Sequence, residues 1–188
     1  MSPFFFALAA IASAGSEASP AEPIVFPSAE AAFETGVKAC EGLYAGAFRT
    51  ERSAPDGLGP FSRRGFYMSG SGDEARVNML MLSSVAHVYK ATVSGGADVA
   101  YVVLTQSLTT CRVGSFGTAE SHGRALAYLT DVKSGWVAKP TKSPSPSAKM
   151  QLFQKTLGST VGTLNISWPS GSGKGPNGLT AMATLTIQ

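Results

Sequence analysis

The clearest pattern of hydrophobic and polar positions lies at the end of the chain. Over residues 179–188, Leu, Ala and Ile alternate with Thr, Met and Gln, which is typical of a strand with one buried face. Over residues 160–168, the bulky apolar side chains again fall on one side. The sequence therefore predicts two strands here, joined by a loop over residues 169–178 that is rich in Gly and Pro.

Two more β-rich runs, residues 85–93 and 99–105, lie on either side of a turn-forming segment with two adjacent glycines. Strands rich in β-branched and aromatic residues on both sides of a short Gly-containing turn predict a hairpin. Residues 109–113, which include Cys111, continue this region or follow it as a further strand. The middle of the chain is therefore predicted to be β-rich.

Apolar residues at helical spacing predict two helices. The first begins after Ser28, a residue type that caps helix N-termini, and ends near Gly46. Its apolar face comprises Phe33, Val37, Cys40 and Tyr44. The second is predicted to be capped by Thr118 and to end at Gly135. Its inner face comprises His122, Leu126, Leu129 and either Val132 or Lys133.

Three stretches are less regular. Residues 46–72 contain many Gly and Pro residues and predict a loop with one short strand at 65–69. Residues 73–82 and 148–157 each fit either a helix or a strand, because short apolar runs satisfy both periodicities. The elements together predict an α+β fold: a single domain over residues 28–188, with an antiparallel β-sheet and two or three helices packed on one face.

The N-terminus has the pattern of an export signal. An apolar run over residues 4–11 precedes Ala12-Ser13-Ala14, which places small residues at the −3 and −1 positions of a cleavage site. We therefore expect a signal peptide over residues 1–14, a disordered segment over 15–27 and a periplasmic or secreted protein. The apolar run is too short for a transmembrane segment. Because no Lys or Arg precedes it, an apolar tail on a cytosolic protein is the alternative.

Cysteine usage agrees with export. The chain has two cysteines, and in an oxidising compartment such a pair predicts one structural disulfide, here Cys40–Cys111. The alternative is two buried free thiols. No metal site is expected, since His87 and His122 do not supply the short ligand spacings of zinc sites. We expect no cofactor.

Charge is distributed unevenly along the sequence. Beyond Asp131 the chain has no acidic residue but six lysines. The three most closely spaced, Lys133, Lys139 and Lys142, are candidates for binding an anionic envelope component. The alternative is that these lysines are solvated, bind no partner and are balanced in charge by the acidic first helix. A formal net charge of +3 and the lack of interleaved basic and aromatic residues predict no nucleic-acid partner.

Motifs for catalysis are weak. Residues 171–175 resemble a phosphate-binding loop, but Trp168 and Gly175 occupy positions where that loop requires Gly and Ser or Thr. No G-x-S-x-G motif occurs, and we assign no catalytic residue. The sequence therefore predicts a non-enzymatic exported domain with a binding or envelope-associated role and an unknown partner. The alternative is a small secreted hydrolase that uses His87 or His122 as its base.

Overall fold

A nine-stranded mixed sheet and three helices form the described part of the fold, as seen in a computed structural model. The structure describes residues 22–46, 61–69, 74–80, 85–105, 107–118, 120–143, 145–171 and 174–188. The strands are β1 (Val25–Phe26), β2 (Phe66–Met68), β3 (Val85–Val93), β4 (Val99–Thr105), β5 (Thr110–Phe116), β6 (Val137–Lys139), β7 (Ala148–Leu157), β8 (Thr160–Pro169) and β9 (Leu179–Ile187). The helices are α1 (Ala29–Tyr44), α2 (Glu74–Leu80) and α3 (Gly123–Thr130).

The strand order places the last strand of the chain in the middle of the sheet. The order is β1-β3-β4-β5-β9-β8-β7-β6, and β2 also pairs with β3. All pairings are antiparallel except that of β1 with β3. Strand β9 lies between β5 and β8, so it joins the β3–β5 meander to the β6–β8 meander. The sheet can therefore be completed only when the final residues of the chain are in place.

Both C-terminal strands and the central hairpin agree with the sequence patterns. Strand β8 buries Leu164 and Ile166, and β9 buries Ala181, Ala183 and Leu185, all toward the same face. Strands β3 and β4 form the predicted hairpin. The short strand predicted at 65–69 is present as β2. The chain already enters the sheet at Val25–Phe26, within the stretch predicted to be disordered.

Helix α1 packs on the centre of the sheet, as its apolar periodicity predicts. Ser28 caps it, accepting a hydrogen bond from the Ala31 backbone N–H at 3.2 Å. Phe33, Val37 and Cys40 are almost completely buried. A Cβ atom at Gly36 would lie 2.7 Å from Cγ1 of Val113. Glycine therefore lets the helix approach β5 more closely than any other residue would.

The predicted disulfide is present between Cys40 of α1 and Cys111 of β5. The Cα atoms are 5.7 Å apart, and both residues are at most 1% exposed. A cross-link over a sequence separation of 71 residues stabilises a fold by about 4 kcal/mol in the chain-entropy model. The bond therefore fixes α1 to the middle of the sheet and is shielded from solvent.

The predicted α+β class agrees with the structure, although the sheet is mixed and not purely antiparallel, because β1 pairs in parallel with β3. Two helices, α1 and α3, lie on one face, and α2 packs on the other. Leu80 of α2 joins Tyr101, Val103 and Phe116, whose side chains alternate with those that face α1. The small residue Gly114 makes room for Leu80, since a Cβ there would lie 2.5 Å from Cδ2 of Leu80. The fold is a single compact α+β domain with more sheet than expected.

Two local expectations also change. Thr118 does not cap α3; its backbone N–H donates to the carboxylate of Asp98 at 2.6 Å, and α3 begins at Gly123. Val132 is 92% exposed in a short 3₁₀ turn, so it is not part of an inner helix face. The ambiguous segment 148–157 is a strand, β7, which pairs with β8 along its whole length. Residues 74–80 of the other ambiguous segment form α2.

A buried polar cluster ties the end of α1 to three other parts of the fold. Glu41 is 8% exposed, and its carboxylate accepts hydrogen bonds from the Tyr128 hydroxyl at 2.6 Å and from the Trp136 indole at 3.0 Å. The Lys155 ammonium lies 2.5 Å from the second carboxylate oxygen. Lys155 also donates to the Ser134 carbonyl. Burial, and then the bond to Glu41, raise the pKa of Tyr128, which therefore remains a donor.

Removing the positive charge of this cluster is expected to destabilise the fold. In Lys155→Met, Glu41 keeps two neutral donors but loses its counter-charge, so we expect the free energy of unfolding to fall by about 2 kcal/mol or more. The control is Lys142→Met, which removes the charge of an exposed lysine outside this cluster. That change should cost less than about 1 kcal/mol. Urea unfolding monitored by circular dichroism measures both, and equal losses would contradict the assignment.

Candidate functional site

A cleft of about 500 Å³ opens at one end of the sheet, where β7 begins, β8 ends and β9 begins. We call it the Trp168 cleft. Its apolar walls are formed by Ala148, Trp168, Pro169, Pro176 and Leu179. Its polar side chains are those of Ser147, Ser167, Ser170 and Lys174. The cleft is therefore mostly apolar, with three hydroxyls and one ammonium group.

Backbone hydrogen bonds fix the walls of the Trp168 cleft. On one side, the Ser170 N–H donates to the Ser147 carbonyl at 3.0 Å, which extends the β7–β8 pairing past the ends of both strands. On the other side, the Gly175 N–H donates to the Leu179 carbonyl at 2.8 Å. A Cβ atom at Gly175 would lie 3.1 Å from that carbonyl oxygen, so glycine permits the close approach. Both walls are thus held by the main chain.

Trp168 connects the cleft to the helical layer. Its indole stacks on the imidazole of His122, with ring centroids 4.5 Å apart and an interplanar angle of 15°. His122 immediately precedes α3, so the stack joins the end of β8 to the start of that helix. A stacked partner covers one face of a ring. A ligand can therefore contact only the opposite face or the edge of the Trp168 indole.

The environment of His122 favours its neutral form. Burial lowers the pKa of the imidazole below its usual 6.5, and Lys149 acts in the same direction, while Glu120 and Glu30 oppose the shift. The buried Nδ1 atom has no hydrogen-bond partner among the described residues. A proton placed there would have no acceptor. Burial and the lack of a described partner for Nδ1 thus agree that protonation of His122 is disfavoured.

No serine is aligned with His122 for nucleophilic catalysis in the described part of the chain. The neighbouring Ser121 hydroxyl lies 2.8 Å from the Thr180 hydroxyl, which in turn donates to the Ser115 carbonyl. Because Thr180 uses its one proton for that carbonyl, Ser121 donates to Thr180. Its proton is not directed at an imidazole, as a nucleophile would require.

The other candidate base is remote from the cleft. His87 lies on β3, with its ring 6.2 Å from that of Tyr89. Three strands, β4, β5 and β9, separate β3 from β8. The structure therefore does not bring His87 and His122 together. No group of three His, Cys, Asp or Glu side chains within the described ranges could hold a metal ion.

The lysines singled out by spacing do not line the Trp168 cleft. Lys133 and Lys142 are exposed in connecting segments, and Lys139 is half-buried at the end of β6. Two other lysines of the acid-free segment lie at or beside the cleft. Lys174 lines it, and Lys149 lies directly opposite Trp168 in the β7–β8 register.

Sequence reasoning missed Trp168 and Lys174 as site residues. The segment around Lys174 was interpreted only as a flexible loop between two strands, and it does connect β8 to β9. The proximity of Lys149 to Trp168 depends on β7 being a strand, which the sequence left open. An aromatic residue at the end of a predicted strand, followed by a lysine in the next loop, was the available signal.

Comparisons with known proteins leave the site to be interpreted from its own chemistry. No protein-family model, no curated protein and no solved structure matches this chain. Among the described residues, no helix has the length and apolar character needed to cross a membrane.

The His122 environment predicts a pH-dependent stability. A histidine whose pKa is lowered by folding binds fewer protons when folded than when unfolded, so stability rises with pH across this range. The contribution of neutral His122 is complete above about pH 6.5 and is lost as the pH falls through the lower folded-state pKa. Urea unfolding between roughly pH 4 and 8, a range that brackets the usual pKa of histidine, measures this pH dependence of stability.

The control for this prediction is the other histidine. His122→Gln should remove the component assigned to His122, whereas His87→Gln should leave that component in place. An unchanged pH profile in His122→Gln would show that the stacked imidazole does not titrate as expected.

Proposed function

We propose that this protein is an exported, non-enzymatic binding domain whose ligand occupies the Trp168 cleft. The observation that carries the proposal is the cleft itself. Its volume of about 500 Å³ lies within the range of small-molecule sites. Its walls are apolar, and its few polar residues come from the turn before β7, the end of β8 and the loop after β8. This is the usual composition of such sites.

The hydrolase alternative has less support from the site. Among the described residues, the polar side chains that line the Trp168 cleft are three serines and a lysine, and no carboxylate lines it. Acid–base catalysis requires a base within hydrogen-bond reach of the proton that it takes. His122 is stacked on Trp168 and its Nδ1 atom is buried without a described partner. A binding role does not require a base or a carboxylate placed for proton transfer.

Export is supported by two independent features. The N-terminal pattern that predicts a signal peptide over residues 1–14 lies outside the described residues and rests on sequence alone. The buried Cys40–Cys111 disulfide is compatible with a periplasmic or secreted location, where such bonds persist. An envelope-associated role would place the cleft among the polymers and small solutes of that compartment.

One intact-mass measurement tests the export part of the proposal. Protein recovered from the periplasm or medium should have lost residues 1–14 and should begin at Gly15. It should also be two hydrogens lighter than the reduced chain, because Cys40 and Cys111 are joined. An intact N-terminus on protein found only in the cytosol, or two alkylatable thiols, would refute it.

The binding part is tested by a fragment screen that assumes no ligand class. A library of neutral, anionic and cationic small molecules is added to isotopically labelled mature protein. We expect amide shifts to cluster at Ser147, Trp168, Ser170 and Gly175, which surround the cleft. Trp168→Ala should abolish this cluster, with preserved chemical-shift dispersion as evidence of folding. Shifts centred elsewhere, or none at all, would refute the Trp168 cleft as the binding site.

A further inference from the structure

We propose that the Trp168 cleft binds an acidic saccharide, with a sugar ring against Trp168 and the ring carboxylate held by Lys174. This inference rests on the binding role proposed for the cleft and names its ligand class. It joins three observations: the sign of the charge around the cleft, the aromatic wall and the hydrogen-bonding state of its serines.

The one charged side chain among the described lining residues is positive. Every lining residue belongs to the segment after Asp131, which contains no acidic residue. Lys174 is the ionisable group of the lining, and no described residue forms an ion pair with it. Lys149 adds a second ammonium on the strand opposite Trp168. A concave site whose described lining holds an ammonium group and no carboxylate attracts an anionic ligand.

The form of the cation favours a singly charged carboxylate over a phosphate. Residues 132–188 contain no arginine, the residue whose fork geometry suits bidentate phosphate recognition. A single lysine is a compact point charge, which is sufficient for one carboxylate. The described lining therefore lacks the bidentate donor that arginine contributes to phosphate sites.

The aromatic wall favours a ring with one apolar face. Trp168 and two prolines, Pro169 and Pro176, give the cleft flat, rigid apolar surfaces. The His122 stack holds the indole in one orientation, so little side-chain entropy remains to be lost on binding. A pyranose presents a face of C–H groups that can lie on an indole, while its hydroxyls point outward to polar partners.

The serines of the cleft are prepared to bind hydroxyl groups. The Ser170 hydroxyl donates its proton to the Pro146 carbonyl, so it offers lone pairs and accepts from a ligand. Ser147 lies 2.9 Å from the Ser145 hydroxyl and keeps further bonding capacity. Two hydroxyl partners beside one cation match a sugar acid better than a simple carboxylate.

The experiment compares saccharides that differ only in charge. The probes are short oligomers of galacturonate, of mannuronate and of glucuronate, each paired with its methyl ester, which keeps the ring and removes the anion. Isothermal titration calorimetry on the mature protein measures affinity. We expect at least one acid oligomer to bind, with its ester about tenfold weaker or worse, because a charge-assisted contact is lost.

Two variants place the effect in the cleft. Lys174→Met should weaken binding of the acid oligomer by about tenfold and leave the weak binding of the ester unchanged. Lys142→Met removes an exposed lysine of the same acid-free segment that does not line the cleft, and it should have no effect. Trp168→Phe, which keeps an aromatic ring, should bind more weakly than the parent protein but more tightly than Trp168→Ala.

The outcomes separate this inference from the function on which it rests. Equal binding of acid and ester, or an unchanged affinity in Lys174→Met, would overturn the acidic ligand class while the cleft remained a binding site. If no oligomer bound but fragments still clustered at the cleft, the saccharide assignment would fail and the binding function would stand. If fragments also avoided the cleft, both proposals would fail.

Discussion

Helix α1 is joined to the centre of the sheet by the Cys40–Cys111 disulfide, and the position of the neighbouring elements depends on that contact. Strand β5 lies between β4 and β9, so the bond connects the helix to the strand next to β9, which joins the two meanders. Gly36 allows the close approach one turn earlier. Glu41, which follows Cys40 in the sequence, directs its carboxylate to Tyr128, Trp136 and Lys155. Two adjacent residues of α1 thus secure the sheet and the α3 layer.

The sheet topology explains where a binding site can form. Because β8 and β9 are neighbouring antiparallel strands, the loop that connects them lies at one end of the sheet. The same end carries the start of β7 and the short pairing beyond it. Three chain segments therefore surround one space, and their main-chain hydrogen bonds fix its walls. Loops on a rigid sheet are a common location for binding residues, since the scaffold holds them in place.

The chemistry of the Trp168 cleft follows from the uneven distribution of charge in the sequence. The acidic residues of α1 are used within the helical layer, where Glu30 and Glu34 bind Arg124 and Glu41 binds Lys155. One of the six C-terminal lysines is therefore part of the core structure. Lys174 and Lys149 remain beside the cleft without an acidic partner among the described residues. The separation of charge leaves a cationic, partly aromatic space at the end of the sheet.

Sequence reasoning predicted most of the elements but few of the site residues. Alternation identified β8 and β9, and a capping serine with helical periodicity identified α1, because these signals arise from residues close in sequence. The disulfide followed from the number of cysteines together with the export signal. The second helix begins later than the sequence predicts, at Gly123. Thr118, the predicted cap, instead donates to Asp98, which lies between β3 and β4 and is distant in the sequence.

The sequence by itself determined the α+β class, the first helix, the principal strands and the acid-free C-terminal third. Only the tertiary structure decided that α2 covers the opposite face and that residues 148–157 form a strand. It alone also places Trp168 beside Lys149, His122 and the Ser147 turn. The physical reason is range: capping and periodicity act over a few residues, whereas cleft walls depend on strand register between segments distant in sequence.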